Sequence, residues 1–450
     1  MFKYSTLFGM SFLVACGAEK EDSNQQFSDD TDGTNIDDIV VDDGVGCENN
    51  ICVLSGTITE DVKMTADNIY ILRGGVFIGD DENPYTLTIE PGTVIYGETS
   101  TDGMLAIRRN SQIIAEGTAD APIVFTSSKE PGTRARGDWG GLIINGKASI
   151  NTCGDETEFC EAFGEGGTGY YGGIDDTDSS GILKYVRVEF AGTLVSPENE
   201  LNGIAFQGVG SGTEVDYIQV HMNADDGVEF FGGTVGIKHV LVTGVGDDSM
   251  DWTDGWRGSA QYVVLQQYDD NGDNGIEADN NGDANDAEPR SNPTLSNFTI
   301  VGSPDSESSD LGLLLREGTA AHIMNTVVVG FNDAGLDIDN SATWTQANAE
   351  NLLLESLHLA NATNFKDDDD DTEAGDYVED IFNLTGTNTL DQIVLVDPYN
   401  LSAPNFALSE VGTASAVDAS TVDGWFDATD FVGAVGDTDW TLGWTTSETN

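Results

Sequence analysis

The chain has 450 residues, of which 80 are acidic and only 17 are Lys or Arg, leaving a formal charge of −63. Such a surface repels polyanions, which excludes nucleic acids and acidic lipid headgroups as partners. Apolar residues are 38 % of the chain, with 54 glycines against 10 prolines, so a core with many tight turns is expected, as two or three ordinary domains or one long repetitive one.

Residues 1–15 read as an export signal. Lys3 precedes an apolar stretch through Leu7, Phe8, Phe12 and Val14 that is too short to span a bilayer as a permanent helix. Its end, Leu13-Val14-Ala15-Cys16, resembles the lipobox of bacterial lipoproteins. That resemblance implies cleavage before Cys16 and acylation of the new N-terminus, and several acyl chains on one residue anchor stably. Gly17 stands where Asp would favour the inner membrane. The expected address is therefore the outer membrane, with the body facing the periplasm or the cell exterior. Residues 16–50 carry eleven acids and one lysine, too polar a mix to bury a core, and are assigned to a disordered tether extended by its own charge.

Four further cysteines, Cys47, Cys52, Cys153 and Cys160, form an even set that suggests two disulfides in an exported chain. Three connectivities are open; proximity favours Cys47–Cys52 and Cys153–Cys160 over other pairings and over a zinc site. The histidines, at 221, 239, 322 and 358, are too scattered for a His-built metal site.

From residue 51 the chain predicts an all-β fold. Thr86–Gly97 and Leu105–Gly117 each read as two strands joined by a corner. Further on, two columns recur. One comprises Gly203-Ile-Ala-Phe, Gly227-Val-Glu-Phe, Ser249-Met-Asp-Trp, Gly275-Ile-Glu-Ala, Gly312-Leu-Leu-Leu and Gly335-Leu-Asp-Ile, whose starts differ by 24, 22, 26, 37 and 23 residues. The other includes Leu183-Lys-Tyr-Val, Val215-Asp-Tyr-Ile, Ile237-Lys-His-Val and Ala260-Gln-Tyr-Val. A shared period near 23 with no helical pattern predicts a right-handed parallel β-helix over 51–355, a solenoid whose coils bury their core only by stacking. A β-propeller fits less well, because its blades need about twice this period. Residues 356–450 leave the period and are expected as a β-rich C-terminal cap, with Trp440 and Trp444 folded over the last coil.

Alternation within the first column sends Val228, Phe230, Met250, Trp252, Ile276, Ala278, Leu336 and Ile338 inward. Glu229, Asp251, Glu277 and Asp337 then face outward, with Asp279, Asp339 and Arg316 two positions along. Coils stacked about 4.8 Å apart make these acids close neighbours, which costs stability unless they are compensated. A solvated acidic face is the simplest explanation. Calcium is the second, with candidate ligands Asp225, Asp226, Asp247, Asp248, Asp269 and Asp273, since dense hard oxygens suit that ion. The EF-hand pattern is not met: Asn280 stands where its closing Glu belongs. Catalysis is the third, paired carboxylates with Arg316 or Arg257 being compatible with polysaccharide cleavage. Trp256 is a candidate exposed stacking surface beside these acids.

Five segments in order, Leu87–Ile95, Gly137-Asp-Trp-Gly-Gly-Leu-Ile-Ile144, Asp225-Asp-Gly-Val-Glu-Phe-Phe-Gly-Gly-Thr234, Asn274–Asp279 and Phe431–Gly436 with Asp439–Trp444, resemble a family of exported, often lipid-anchored bacterial β-helix proteins. The resemblance implies a fold and an address but no reaction. The expectation is a membrane-anchored, acidic β-helix that binds a polysaccharide, a divalent cation or a surface protein without catalysis, the alternative being a calcium-dependent polysaccharide lyase or glycoside hydrolase.

Overall fold

The computed structural model describes residues 36–154, 159–196, 199–367, 377–391, 393–410 and 412–450. The export signal and Cys16 lie outside the described residues. From Ile51 onward, short strands stack coil on coil in parallel, and the chain is a right-handed parallel β-helix.

One face of the solenoid is built from short strands: Met104–Ile107, Gly141–Asn145, Ile204–Gln207, Val228–Phe231, Met250–Thr253, Ile276–Ala278, Leu313–Leu315 and Leu336–Ile338. Their register follows the sequence columns, Val228 pairing with Met250 and Met250 with Ile276. The inward residues are fully buried, among them Phe206, Phe230, Trp252 and Ala278. Phe206 and Phe230 stack with ring centroids 5.3 Å apart, so like residues in successive coils complete one another's packing. The 37-residue interval in the column is a coil with long connections on either side of strand Thr294–Val301.

The remaining faces come from one long strand per coil, including Gly181–Glu189, Glu214–His221, Gly236–Thr243, Ser259–Gln266, Thr294–Val301 and Ala321–Val329. Each turns a corner at a single left-handed residue: Tyr185, Tyr217, His239, Tyr262, Asn297 and Asn325, with φ of 49°, 55°, 49°, 62°, 60° and 52°. Such angles are uncommon outside glycine, and here stacking compensates. The rings of Tyr185, Tyr217, His239 and Tyr262 pile up at centroid spacings of 4.5, 4.2 and 4.7 Å. The corner is also where separate strands of an earlier coil, Gln112–Glu116 and Ile123–Ser127, meet the single strand Gly181–Glu189.

Both ends differ from expectation. Residues 36–50, assigned above to the tether, instead close the N-terminal end. Strand Gly44–Glu48 runs antiparallel to Ile51–Ile58 and is tied to it by Cys47–Cys52, while Ile36 and Ile39 bury against Ile51, Val53 and Ile71. The second disulfide, Cys153–Cys160, also forms as proximity suggested. At the other end the coils continue past residue 355, through Leu352–Ala360 and Phe365–Lys366. They are closed by the short helix Val378–Phe382, whose Phe382 meets Phe365 edge to face at 5.1 Å.

Trp440 and Trp444 therefore do not cover the last coil. The chain beyond residue 412 returns along the corner column toward earlier coils, where Trp444 packs edge-on to Tyr185 at 5.6 Å and Trp440 to His239 at 5.3 Å. Backbone docking holds it there: Arg187 Nη1 donates to the carbonyl of Trp444 at 3.0 Å, and Gln219 Nε2 to that of Thr446 at 2.7 Å.

Candidate metal centre on the acidic face

The outward column of the short-strand face runs Ile143, Ala205, Glu229, Asp251, Glu277, Leu314, Asp337 and Lys366 in register. It is apolar at first, acidic through three coils, and then mixed. The turns before Val228–Phe231, Met250–Thr253 and Ile276–Ala278 add five more acids, Asp225, Asp226, Asp247, Asp248 and Asp273, the last followed by Asn274. The parallel register therefore packs strand and turn carboxylates of neighbouring coils against each other.

Four interlocking groups result: Asp225, Asp226 and Asp247; Asp226, Glu229 and Asp251; Asp247, Asp248 and Asp273; and Asp248, Asp251 and Glu277. Within each group the available carboxylate oxygens lie within 4.8 Å of one another. Two oxygens on one calcium stand no more than about 5 Å apart, so the spacing fits a shared ion. Asp226, Asp247, Asp248 and Asp251 each belong to two groups, which makes the set one ladder of eight carboxylates.

The turn geometry fixes part of this ladder. Asp226 Oδ1 accepts the backbone N–H of Asp248 at 3.0 Å, and Asp248 Oδ1 accepts that of Asn274 at 2.7 Å. Each inner turn carboxylate thus spends one oxygen on holding the next coil. Asn202 occupies the same turn position one coil earlier and donates from Nδ2 to Glu229 Oε2. Asn202 is only 1 % exposed, yet its Oδ1 is buried with no hydrogen-bond partner among the described residues, as is Asp251 Oδ1. Buried acceptors left without donors are costly, and a cation is one way to satisfy both.

Electrostatics point the same way. Of the eight carboxylates, only Glu277 is paired with a Lys or Arg among the described residues, through Arg316. Burial, reinforced by the neighbouring acids, pushes Asp226, Glu229, Asp248 and Asp251 well above the usual carboxylate range. Burial and then Asp247 raise Asp225 to about 7. Burial and then Asp247 raise Asp273 to about 6, and burial outweighs Arg316 to hold Glu277 at about 7. Like charges a few ångströms apart in a partly dry site cannot all ionise without a counter-charge.

The sequence candidates sort unevenly. Glu229, Asp251 and Glu277 come together with Asp225, Asp226, Asp247, Asp248 and Asp273, joining two sets that the sequence left separate. Asp269 falls outside, exposed and absent from all four groups. Asp337 is in the column but cut off from Glu277 by Leu314, and it faces Lys366 at 3.5 Å. Asp279 pairs with Arg316 at 2.9 Å, while Asp339 accepts the N–H of Asn340 at 2.7 Å; neither joins the ladder. Arg257 is engaged elsewhere, with Asp176 at 3.0 Å. Trp256 is a correction. It is fully buried, stacked on Phe230 at 3.9 Å with Nε1 donating to the Val235 carbonyl. The turn at Gly255, φ 89°, carries it inward after the strand's alternation has ended. Asn202 was missed, although it precedes Gly203 just as Asp226 precedes Gly227.

Comparison with known families adds the fold's kinship. The sequence model of the pectate-lyase-like beta helix domain matches residues 56–445. The chain belongs to that family. No curated protein and no solved structure matches it. The pectate-lyase-like match spans the acidic ladder, the corner column and the returning C-terminal segment alike.

Proposed function

We propose that this protein is an exported, lipid-anchored β-helix whose acidic ladder binds divalent cations, calcium above all, and through them an anionic polysaccharide, without catalysing a reaction. The observation that carries the reading is the ladder itself: eight converging carboxylates, one ion pair, and two buried acceptors without donors. Irregular, carboxylate-rich coordination suits calcium better than magnesium, which demands near-octahedral geometry and keeps its water. A cation held at the surface retains open positions that the carboxylates of an acidic glycan fill. A chain of such negative charge would otherwise repel that glycan.

The family name gives weight to a second reading, calcium-dependent cleavage of a polysaccharide on the same face. Against it stands the engagement of Arg316: its guanidinium is bound by Glu277 and by Asp279, which leaves it poorly placed to act as a base.

Calorimetric titration of chelator-treated protein with CaCl₂ tests the proposal, which expects more than one ion per chain and weaker binding of MgCl₂. No heat at millimolar calcium contradicts it. Incubation with polygalacturonate and calcium separates the two readings, because new reducing ends or unsaturated products establish the catalytic one. For the anchor, Cys16→Ser is expected to release the protein from the membrane fraction; unchanged fractionation contradicts it.

A further inference from the structure

A second concavity lies between the corner column and the returning C-terminal segment. It encloses about 650 Å³, inside the roughly 300–1,000 Å³ usual for small-molecule sites. It shares no residue with the acidic ladder. Tyr217 and Tyr262 contribute one wall, Phe431 and Trp440 another, with Asp430 and Asp437 also lining the cavity. All four rings are only half-buried, although each is large enough to dominate a core contact.

The chemistry of these walls is selective. No Lys or Arg lines the cavity among the described residues, and His239, which does, is held by Asp216 at 2.7 Å, so an anionic ligand meets two carboxylates. The two tyrosines have their faces covered and meet a ligand with ring edges and phenols only. Tyr217 is sandwiched between Tyr185 and His239 at 4.5 and 4.2 Å, and Tyr262 lies between His239 and Phe431 at 4.7 and 6.3 Å. A wholly apolar ligand would desolvate Asp430 and Asp437 without giving them hydrogen bonds. These walls suit a ligand with apolar C–H surface for Phe431 and Trp440 and hydroxyls that donate to the carboxylates. Burial raises the Tyr217 and Tyr262 phenols to about 12, so both stay protonated. Trp440 Nε1 is already committed to the Ala434 carbonyl at 2.9 Å, so this side chain offers ring surface alone.

The geometry points to a binding site for a neutral saccharide in this cavity, separate from the cation ladder. The site needs no metal, which separates its test from that of the ladder. The full chain in EDTA is titrated with cellotetraose, laminaritetraose, xylotetraose and mannotetraose, read by calorimetry and tryptophan fluorescence, with tetragalacturonate as the anionic comparison. At least one neutral sugar is expected to bind, and tetragalacturonate is not. Tyr262→Asn keeps the left-handed corner, since Asn297 and Asn325 hold the same place with φ of 60° and 52°; it is expected to weaken binding about fivefold or more. Phe431→Ala, on the returning segment, should do the same. Failure of all four neutral sugars to bind at millimolar concentration overturns the assignment. So does binding that neither substitution weakens, or binding of tetragalacturonate in EDTA.

Discussion

Along one outward column, Glu229, Asp251 and Glu277 occupy successive coils, whereas Leu314, Asp337 and Lys366 occupy the next three. In the later coils the protein compensates its own acids. Arg316 binds Glu277 and Asp279, Lys366 lies 3.3 and 3.5 Å from Asp333 and Asp337, and Leu314 interrupts the repulsion. In the middle coils only Glu277 is paired among the described residues, and there the inner turn acids and Asn202 are turned onto the same spot. Acidity for solubility alone would need only exposed carboxylates. Burying seven of them to different degrees beside unsatisfied acceptors suits a site completed from outside.

The contrast can be broken from either side. The largest effect is expected from Arg316→Met, which leaves Glu277 and Asp279 buried without their cation. Partial exposure discounts the roughly 3–5 kcal/mol of a fully buried pair to about 2–3 kcal/mol, seen as loss of stability in urea with EDTA. An unchanged midpoint would mean that the later coils do not depend on internal compensation. Asp251→Asn should act in the opposite direction. Without metal it removes the charge shared by two groups and raises stability by about 1–2 kcal/mol, while abolishing most of the calcium response. Destabilisation in EDTA would show that Asp251 is structural.

Dependence on pH comes next. Folded Asp225, Asp273 and Glu277 sit at about 7, 6 and 7, above unfolded values near 4. The unfolded chain releases these protons first, so their stabilising contribution is complete below about pH 4 and is lost as pH rises toward about 7. On the proposed reading, calcium takes the place of those protons. The melting-temperature gap between calcium and EDTA samples should therefore widen from pH 5 to pH 8, and a constant gap argues against the ladder as its source. The smallest effect belongs to Lys366→Gln, about 1 kcal/mol: solvent screens its pair with exposed Asp333, while buried Asp337 loses one partner. A larger loss would mean that the last coil is held by charge more than by Phe365 and Phe382.

Much of this face was legible in the sequence because a solenoid converts sequence period directly into spatial register. The spacing of Gly227, Ser249 and Gly275 correctly places Glu229, Asp251 and Glu277 in one column, and alternation correctly buries Phe230, Trp252 and Ala278. What escaped lies where the period stops. Ile36 and Ile39 are two apolar residues in an acidic stretch, and average composition hides their docking onto Ile51 and Val53. Trp440 and Trp444 pack on rings more than 200 residues earlier, a contact without local signal. The merging of turn and strand acids depends on how far each turn folds back over the next coil. Their sequence offsets alone do not give that angle.

The most direct test of the central claim is anomalous diffraction from crystals soaked in a lanthanide standing in for calcium. Anomalous peaks are predicted among Asp226, Glu229 and Asp251 and among Asp248, Asp251 and Glu277, with none at Asp337 or Asp279. Peaks confined to exposed loop carboxylates, with the ladder empty, would contradict the account.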